Sequence, residues 1–148
     1  MPENSLPVAN DIPKSILQAR SRSLRRCPCP KCGHKCRRDT EGHRRLHDIG
    51  DLASGRPRVL EVTYSVHRCP RCKFYFSVDL TDLAPVKSSY THRVRSLALR
   101  LVVEDGLPYR TTSWHLWRDH RVFVPFATVQ NWVEGEGEKK DRRPRPRL

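Results

Sequence analysis

The chain has 148 residues, 36% of them hydrophobic and 30% charged, with 29 Lys and Arg against 16 Asp and Glu, for a net charge of +13. So small an apolar fraction argues against one large core and for small modules, one of which needs a staple. The cationic surplus is the footprint of a polyanion binder, nucleic acid ahead of an anionic membrane, with a merely solubilising surface as the alternative.

Residues 1–12 carry little that can pack and are expected to form a disordered lead. Asp11 and Pro13 suit the start of a short helix through Ile16, Leu17 and Ala19 toward Leu24, its other face being Lys14, Arg20, Arg22, Arg25 and Arg26. An arm that orders on a phosphate backbone is the alternative for this stretch, so residues 1–26 read as disordered or a short basic helix. Met1 to Leu17 has no signal-peptide core, and no segment approaches the roughly 20 apolar residues of a membrane span. The six cysteines are therefore expected to be thiols of a cytoplasmic protein rather than three disulfides of a secreted one.

Cys29-Pro30-Lys31-Cys32-Gly33 and Cys69-Pro70-Arg71-Cys72-Lys73 are two matched Cys-Pro-x-Cys knuckles. Two such pairs a few tens of residues apart can set four thiolates tetrahedrally round one Zn²⁺, with backbone N–H groups turned toward the sulfurs. The expected ligands are Cys29, Cys32, Cys69 and Cys72. Cys27 and Cys36 are second-choice ligands, a metal-free set of buried thiols is the bland alternative, and the spacing lacks the run of a bacterial iron–sulfur site. His34, His43, His47 and His67 lie near enough in sequence to substitute as ligands, although four cysteines already suffice.

Between the knuckles Arg37, Arg38, Arg44 and Arg45 read as a basic loop, and Ser54-Gly55-Arg56-Pro57 as a turn. Leu60, Val62, Tyr64 and Val66 then alternate with Glu61, Thr63, Ser65 and His67, the period-two signature of a half-buried strand leading into Cys69. Phe74 to Val78 reads as the return strand, so residues 27–79 are expected to form a zinc-ribbon hairpin module.

After a connector over 80–90 the period changes. Val94, Leu97, Ala98, Leu101 and Val102 form one helical apolar face, with Thr91 at its start and Gly106 after its end. A second helix runs from Leu107-Pro108 through Trp114, Leu116 and Trp117 to about His120. Pro125 opens a third, with Val129, Trp132 and Val133 inward. Three short helices over 91–138 with a tight turn before the last suggest a helix-turn-helix. Residues 139–148 form a proline-broken basic tail, expected to be disordered. The fold class predicted is small α+β, a ribbon module followed by a helical module between disordered basic termini.

The Cys-Pro-Lys-Cys-Gly knuckle, Arg45-Leu46-His47-Asp48-Ile49-Gly50, His67-Arg68-Cys69-Pro70-Arg71-Cys72, Gly106-Leu107-Pro108-Tyr109-Arg110 and Thr128-Val129-Gln130-Asn131-Trp132-Val133 together resemble the N-terminal DNA-binding region of bacterial insertion-sequence transposases. The resemblance covers about residues 27–139. It implies a zinc finger on Cys29, Cys32, Cys69 and Cys72, a recognition helix over 125–138, and double-stranded transposon-end DNA as partner, with a homodimer compatible. In that family an RNase H-like catalytic domain follows, and this chain stops where it would begin, so no enzymatic activity is expected of it. Asp79, Asp82, Glu104 and Asp105 read as turn and cap residues rather than a catalytic set.

Thr128, Gln130 and Asn131 are the residues expected to read bases, and Arg110, Arg118, Arg121 and the basic residues around the first knuckle those expected to contact phosphates. A zinc-stapled transcription regulator, and a protein-binding zinc-ribbon adaptor that touches nucleic acid without specificity, are the alternative functions.

Overall fold

The computed structural model describes residues 13–141, so the expected disordered lead and the end of the basic tail lie outside the described residues. Its elements are β1 (Ile16–Arg22), β2 (Arg26–Pro28), β3 (Lys35–Asp51), β4 (Arg56–Arg68), β5 (Tyr75–Ser77), α1 (His92–Val103), α2 (Tyr109–His120) and α3 (Phe126–Asp141). The architecture is a small α+β fold, with a five-stranded sheet in the order β1-β4-β3-β2, β5 also pairing with β4, and three helices.

Three sequence expectations need correction. Residues 16–22, expected on a basic helix, form strand β1, where half-buried Ile16 and Gln18 flank exposed Leu17 in period two and β4 takes up the backbone bonding. Residues 35–51, read in their first part as a basic loop, form the longest strand. The two knuckle hairpins are parts of the larger sheet rather than a free-standing ribbon module.

Contacts divide the chain into two units that interrupt each other in sequence. One comprises Ile16–Asp48 and Val59–His92 and holds the cysteines. Its core is Leu46, Leu60, Val62, Leu80 and Ala84, with Tyr64 and Leu83 packed against it. A Cβ on Gly42 would lie 2.4 Å from the Tyr64 ring, so the end of that side chain would have to shift to admit one. Residues 88–91 are stitched to β3 by His47 N–H to Ser89 C=O (2.8 Å) and Thr91 N–H to His47 C=O (3.1 Å), and the buried Thr91 hydroxyl donates to Asp48 at 2.8 Å. Arg44, expected in a loop, donates to the carbonyls of Pro85 and Ser88 and so anchors the connector.

The other unit comprises Ile49–Arg58 and the chain from Arg93 onward. Val94 and Ala98 of α1, Thr112 and Leu116 of α2, Val122 and Val124 of the following loop, and Val129 of α3 are its buried residues. The 3.6-residue period that marked α1 and α3 is the one that buries them. Gly106 (φ 69°) ends α1 and Arg121 (φ 52°) caps α2 in the left-handed region. The Ser113 hydroxyl donates to Val124 C=O at 2.5 Å, and Arg95 of α1 pairs with Glu136 of α3 at 3.2 Å. Gly50 is buried, and a Cβ there would lie 2.5 Å from the Cβ of Arg121.

The Thr112 hydroxyl is buried with no hydrogen-bond partner among the described residues. A buried polar atom left unpaired costs about 1–3 kcal/mol, and valine has the same shape without the hydroxyl. Thr112→Val is expected to raise the free energy of unfolding by about 1 kcal/mol in a urea titration.

Candidate metal centre

Each knuckle is the turn of a strand–turn–strand element. The first joins β2 to β3, antiparallel with Cys27 opposite Cys36, and the second joins β4 to β5, antiparallel with His67 opposite Phe76. Their internal bonding matches residue for residue. Cys29 N–H donates to His34 C=O (2.9 Å) as Cys69 N–H donates to Phe74 C=O (3.1 Å), and Gly33 N–H donates to Cys29 C=O (2.9 Å) as Lys73 N–H donates to Cys69 C=O (2.8 Å).

Both turns close through a left-handed residue, Gly33 (φ 74°) and Lys73 (φ 54°). The turn tips each knuckle's backbone toward its own first sulfur, with Lys31 N–H 3.4 Å from the Cys29 Sγ and Cys72 N–H 3.3 Å from the Cys69 Sγ. Such N–H groups stabilise thiolate charge.

The two turns meet so that the sulfurs of Cys29, Cys32, Cys69 and Cys72 all lie within 4.8 Å of one another, close enough to hold a metal ion. Cys29 and Cys72 are 3.9 Å apart and Cys32 and Cys69 are 3.6 Å apart, each pair taking one sulfur from each knuckle. A tetrahedral Zn²⁺ with Zn–S of about 2.3 Å needs sulfurs about 3.8 Å apart, which these two pairs match. Cys29 and Cys69 are buried while Cys32 is exposed, and Phe74 and Phe76 pack against the cluster.

The electrostatics are those of crowded thiols. The N–H of Cys72 beside the Cys69 Sγ, outweighing burial, pulls the Cys69 thiol down to about 6. Hydrogen bonding with the Cys32 sulfur, followed by burial, pushes Cys72 up to about 12.

The chain matches no protein-family model, no curated protein and no solved structure. What the centre does is therefore read from its own atoms. The other candidate ligands stand outside the four. Cys36 is buried beside them, but its thiol donates to His34 C=O at 3.1 Å, and burial pushes it up to about 11. The Cys27 sulfur faces the carbonyl of Pro28 at 3.9 Å. His43 bonds the Thr63 hydroxyl (3.3 Å) and His47 packs on Tyr90, with ring centroids 5.6 Å apart.

His67, read as an outward strand residue, is fully buried. Its Nδ1 donates to Cys36 C=O at 3.1 Å, its Nε2 accepts from the Ser65 hydroxyl at 2.7 Å, and its ring stacks on Phe76. The odd-numbered face of β4 is thus buried at the cysteine end, as the even-numbered face is buried against Leu46 and Leu80.

The six residues expected at DNA are differently placed. Arg110 and Arg118 are exposed on α2, the guanidinium of Arg110 lying 4.7 Å over the Phe126 ring at the start of α3 and that of Arg118 meeting Asp119 at 3.2 Å. Arg121 lies over Trp117 at 5.2 Å. On α3, Asn131 is exposed, Thr128 is half-buried, and the Gln130 amide donates to Glu134 at 2.9 Å.

Proposed function

We propose that the chain is a DNA-binding protein in which Zn²⁺, held by Cys29, Cys32, Cys69 and Cys72 as in a zinc ribbon, fixes the sheet. In this reading α1 to α3 act as a helix-turn-helix and present α3 to the major groove of a duplex such as a transposon end. Four thiolate donors favour zinc among the common divalent ions and close its coordination, so the metal is structural and supplies no reaction.

The observation that supports the DNA reading best is the start of α3. Phe126 and Ala127 are exposed, the first turn carries no acidic residue, and Arg110 is held against Phe126. A helix N-terminus with an arginine beside it suits a phosphate, and base-reading helices approach DNA by this end. A protein-binding adaptor is the second reading, favoured by an apolar cleft of about 280 Å³ lined by Ser113, Trp114, Trp117 and Phe123.

Fluorescence anisotropy against a panel of duplexes separates the two. Arg110→Gln should weaken every duplex equally, by roughly five- to tenfold, and lower the log–log salt slope by about 0.9, as loss of one phosphate contact requires. Asn131→Ala should instead flatten the preference among sequences, at about 1–3 kcal/mol for the best site. Gln130→Ala should do less, because that amide is already engaged by Glu134. Salt-independent association, or equal binding of all duplexes before and after Asn131→Ala, would reject the reading.

A further inference from the structure

The first knuckle is flanked by two arginine doublets, Arg25-Arg26 before it and Arg37-Arg38 after it. The hairpin register brings them face to face. Arg26 is directly opposite Arg37 across the β2–β3 ladder, and in the next position Arg38 N–H donates to Arg25 C=O at 3.0 Å. All four side chains are exposed and line a cleft of about 280 Å³ on β2, the last strand of the sheet order. A neighbouring cleft of about 350 Å³ adds Lys35 and Arg68 to Arg37 and Arg38, with Asp39 the one carboxylate in its lining. Arg38 meets Glu41 at 3.0 Å, whereas Arg25, Arg26 and Arg37 have no ion pair among the described residues. Like charges directly opposite on paired strands are destabilising.

The second knuckle hairpin is an internal control for what the turn itself requires. It has the same bonding, down to Val78 N–H donating to Ser65 C=O at 3.1 Å where Arg38 donates to Arg25. Its residues at the four corresponding places are Ser65, Val66, Ser77 and Val78. Building a knuckle hairpin therefore does not call for arginines, and an anion between Arg26 and Arg37 would offset their repulsion, as Glu41 does for Arg38. Guanidinium groups present paired donors that match phosphate oxygens.

We propose that Arg25, Arg26, Arg37 and Arg38 form a phosphate-backbone site for duplex DNA, carried by the sheet in its own right. The proposal rests on the DNA-binding reading above and adds to it a second contact surface, one without base readout. It makes the metal centre a positioning device as well as a staple, because the knuckle sets the register that opposes the doublets.

The test measures duplex affinity from 50 to 300 mM salt for the full chain and for Arg25→Gln/Arg26→Gln/Arg37→Gln, with metal content and helical circular dichroism as checks on folding. About 0.9 of log–log slope is expected to disappear per phosphate released, a fall of about 2–3 in all, with at least tenfold weaker binding at low salt and an unaltered ranking of sequences. If the triple variant does not fold, single Arg26→Gln and Arg37→Gln variants should each lower the slope by about 0.9. An unchanged slope in a chain that still binds DNA would overturn this site alone, leaving the arginines as guards of a strand edge. A chain that binds no duplex would overturn both readings. Binding to phosphatidylserine vesicles but not to duplex, lost in the triple variant, would assign the cleft to a membrane and reject the proposal.

Discussion

Removing the metal is expected to unfold the cysteine-bearing end of the sheet, and Cys69→Ser should do the same without a chelator. Structural zinc bound by small protein modules contributes on the order of 10 kcal/mol, and that free energy is folding free energy because the site does not exist in the unfolded chain. Away from the cysteine cluster, the apolar core of this unit among the described residues is small, Leu46, Leu60, Val62, Leu80 and Ala84 with two half-buried neighbours. A net stability of roughly 5–15 kcal/mol is usual for a whole domain, so loss of the metal removes most of what holds this end.

The protein should carry one zinc per chain, and mass spectrometry of native protein should show it retained in Cys27→Ser and lost in Cys69→Ser. Cys69, drawn down to about 6, gives up its proton more readily than Cys72, pushed up to about 12, and both must be thiolates to bind the metal. Protons and metal compete for the same sulfurs, so zinc affinity should fall as the pH falls. Equal zinc loss from Cys27→Ser and Cys69→Ser would refute the ligand assignment.

How legible these features were depended on whether a residue's role is written in its polarity. The four ligands were readable because thiolate spacing and turn chemistry are local, and Gly33 after the first knuckle marks the left-handed closure that the structure shows. The helices were readable because Val94, Ala98, Leu116 and Val129 are buried at helical spacing. β3 was not, because from Arg37 to Glu41 its side chains are all exposed and its strand character lies in backbone pairing, which no hydrophobic pattern records. β1 failed for a related reason, since a short stretch with few apolar residues and thin burial fits a helix start as well as a strand. The opposition of the arginine doublets needed a register, and the register needed the knuckle.

His67 is the sharpest of these misreadings, and its replacement carries the second large expected effect. A histidine in the polar half of an alternating strand reads as solvent-facing, yet here Ser65 and His67, at the cysteine end of that half, are buried and bond each other. A carbonyl only accepts, so the bond to Cys36 C=O places the proton on Nδ1, which leaves Nε2 to accept from the Ser65 hydroxyl. The Ser65 oxygen in turn accepts the Leu24 N–H at 3.0 Å. One imidazole thereby connects the segment before β2, the start of β3 and the end of β4, two residues ahead of Cys69.

His67→Ala opens a cavity, removes the stacking on Phe76 and leaves the Ser65 hydroxyl and the Cys36 carbonyl without this partner. Large-to-small losses in cores cost about 2–5 kcal/mol, and each buried polar group left unpaired adds about 1–3 kcal/mol. A destabilisation of about 4 kcal/mol is expected in urea unfolding of the zinc-loaded protein. His67→Phe separates the contributions, since it keeps a ring on Phe76, a little larger than the imidazole, and forfeits the hydrogen bonds, so it should cost about 2 kcal/mol. Ser65→Ala in the His67→Phe background should still cost about 1 kcal/mol, because the hydroxyl, although it has lost its acceptor, still receives the Leu24 N–H. A His67→Phe variant as stable as the parent would show that the histidine serves by shape alone and that the bonded chain from Leu24 to Cys36 contributes nothing to holding the knuckle.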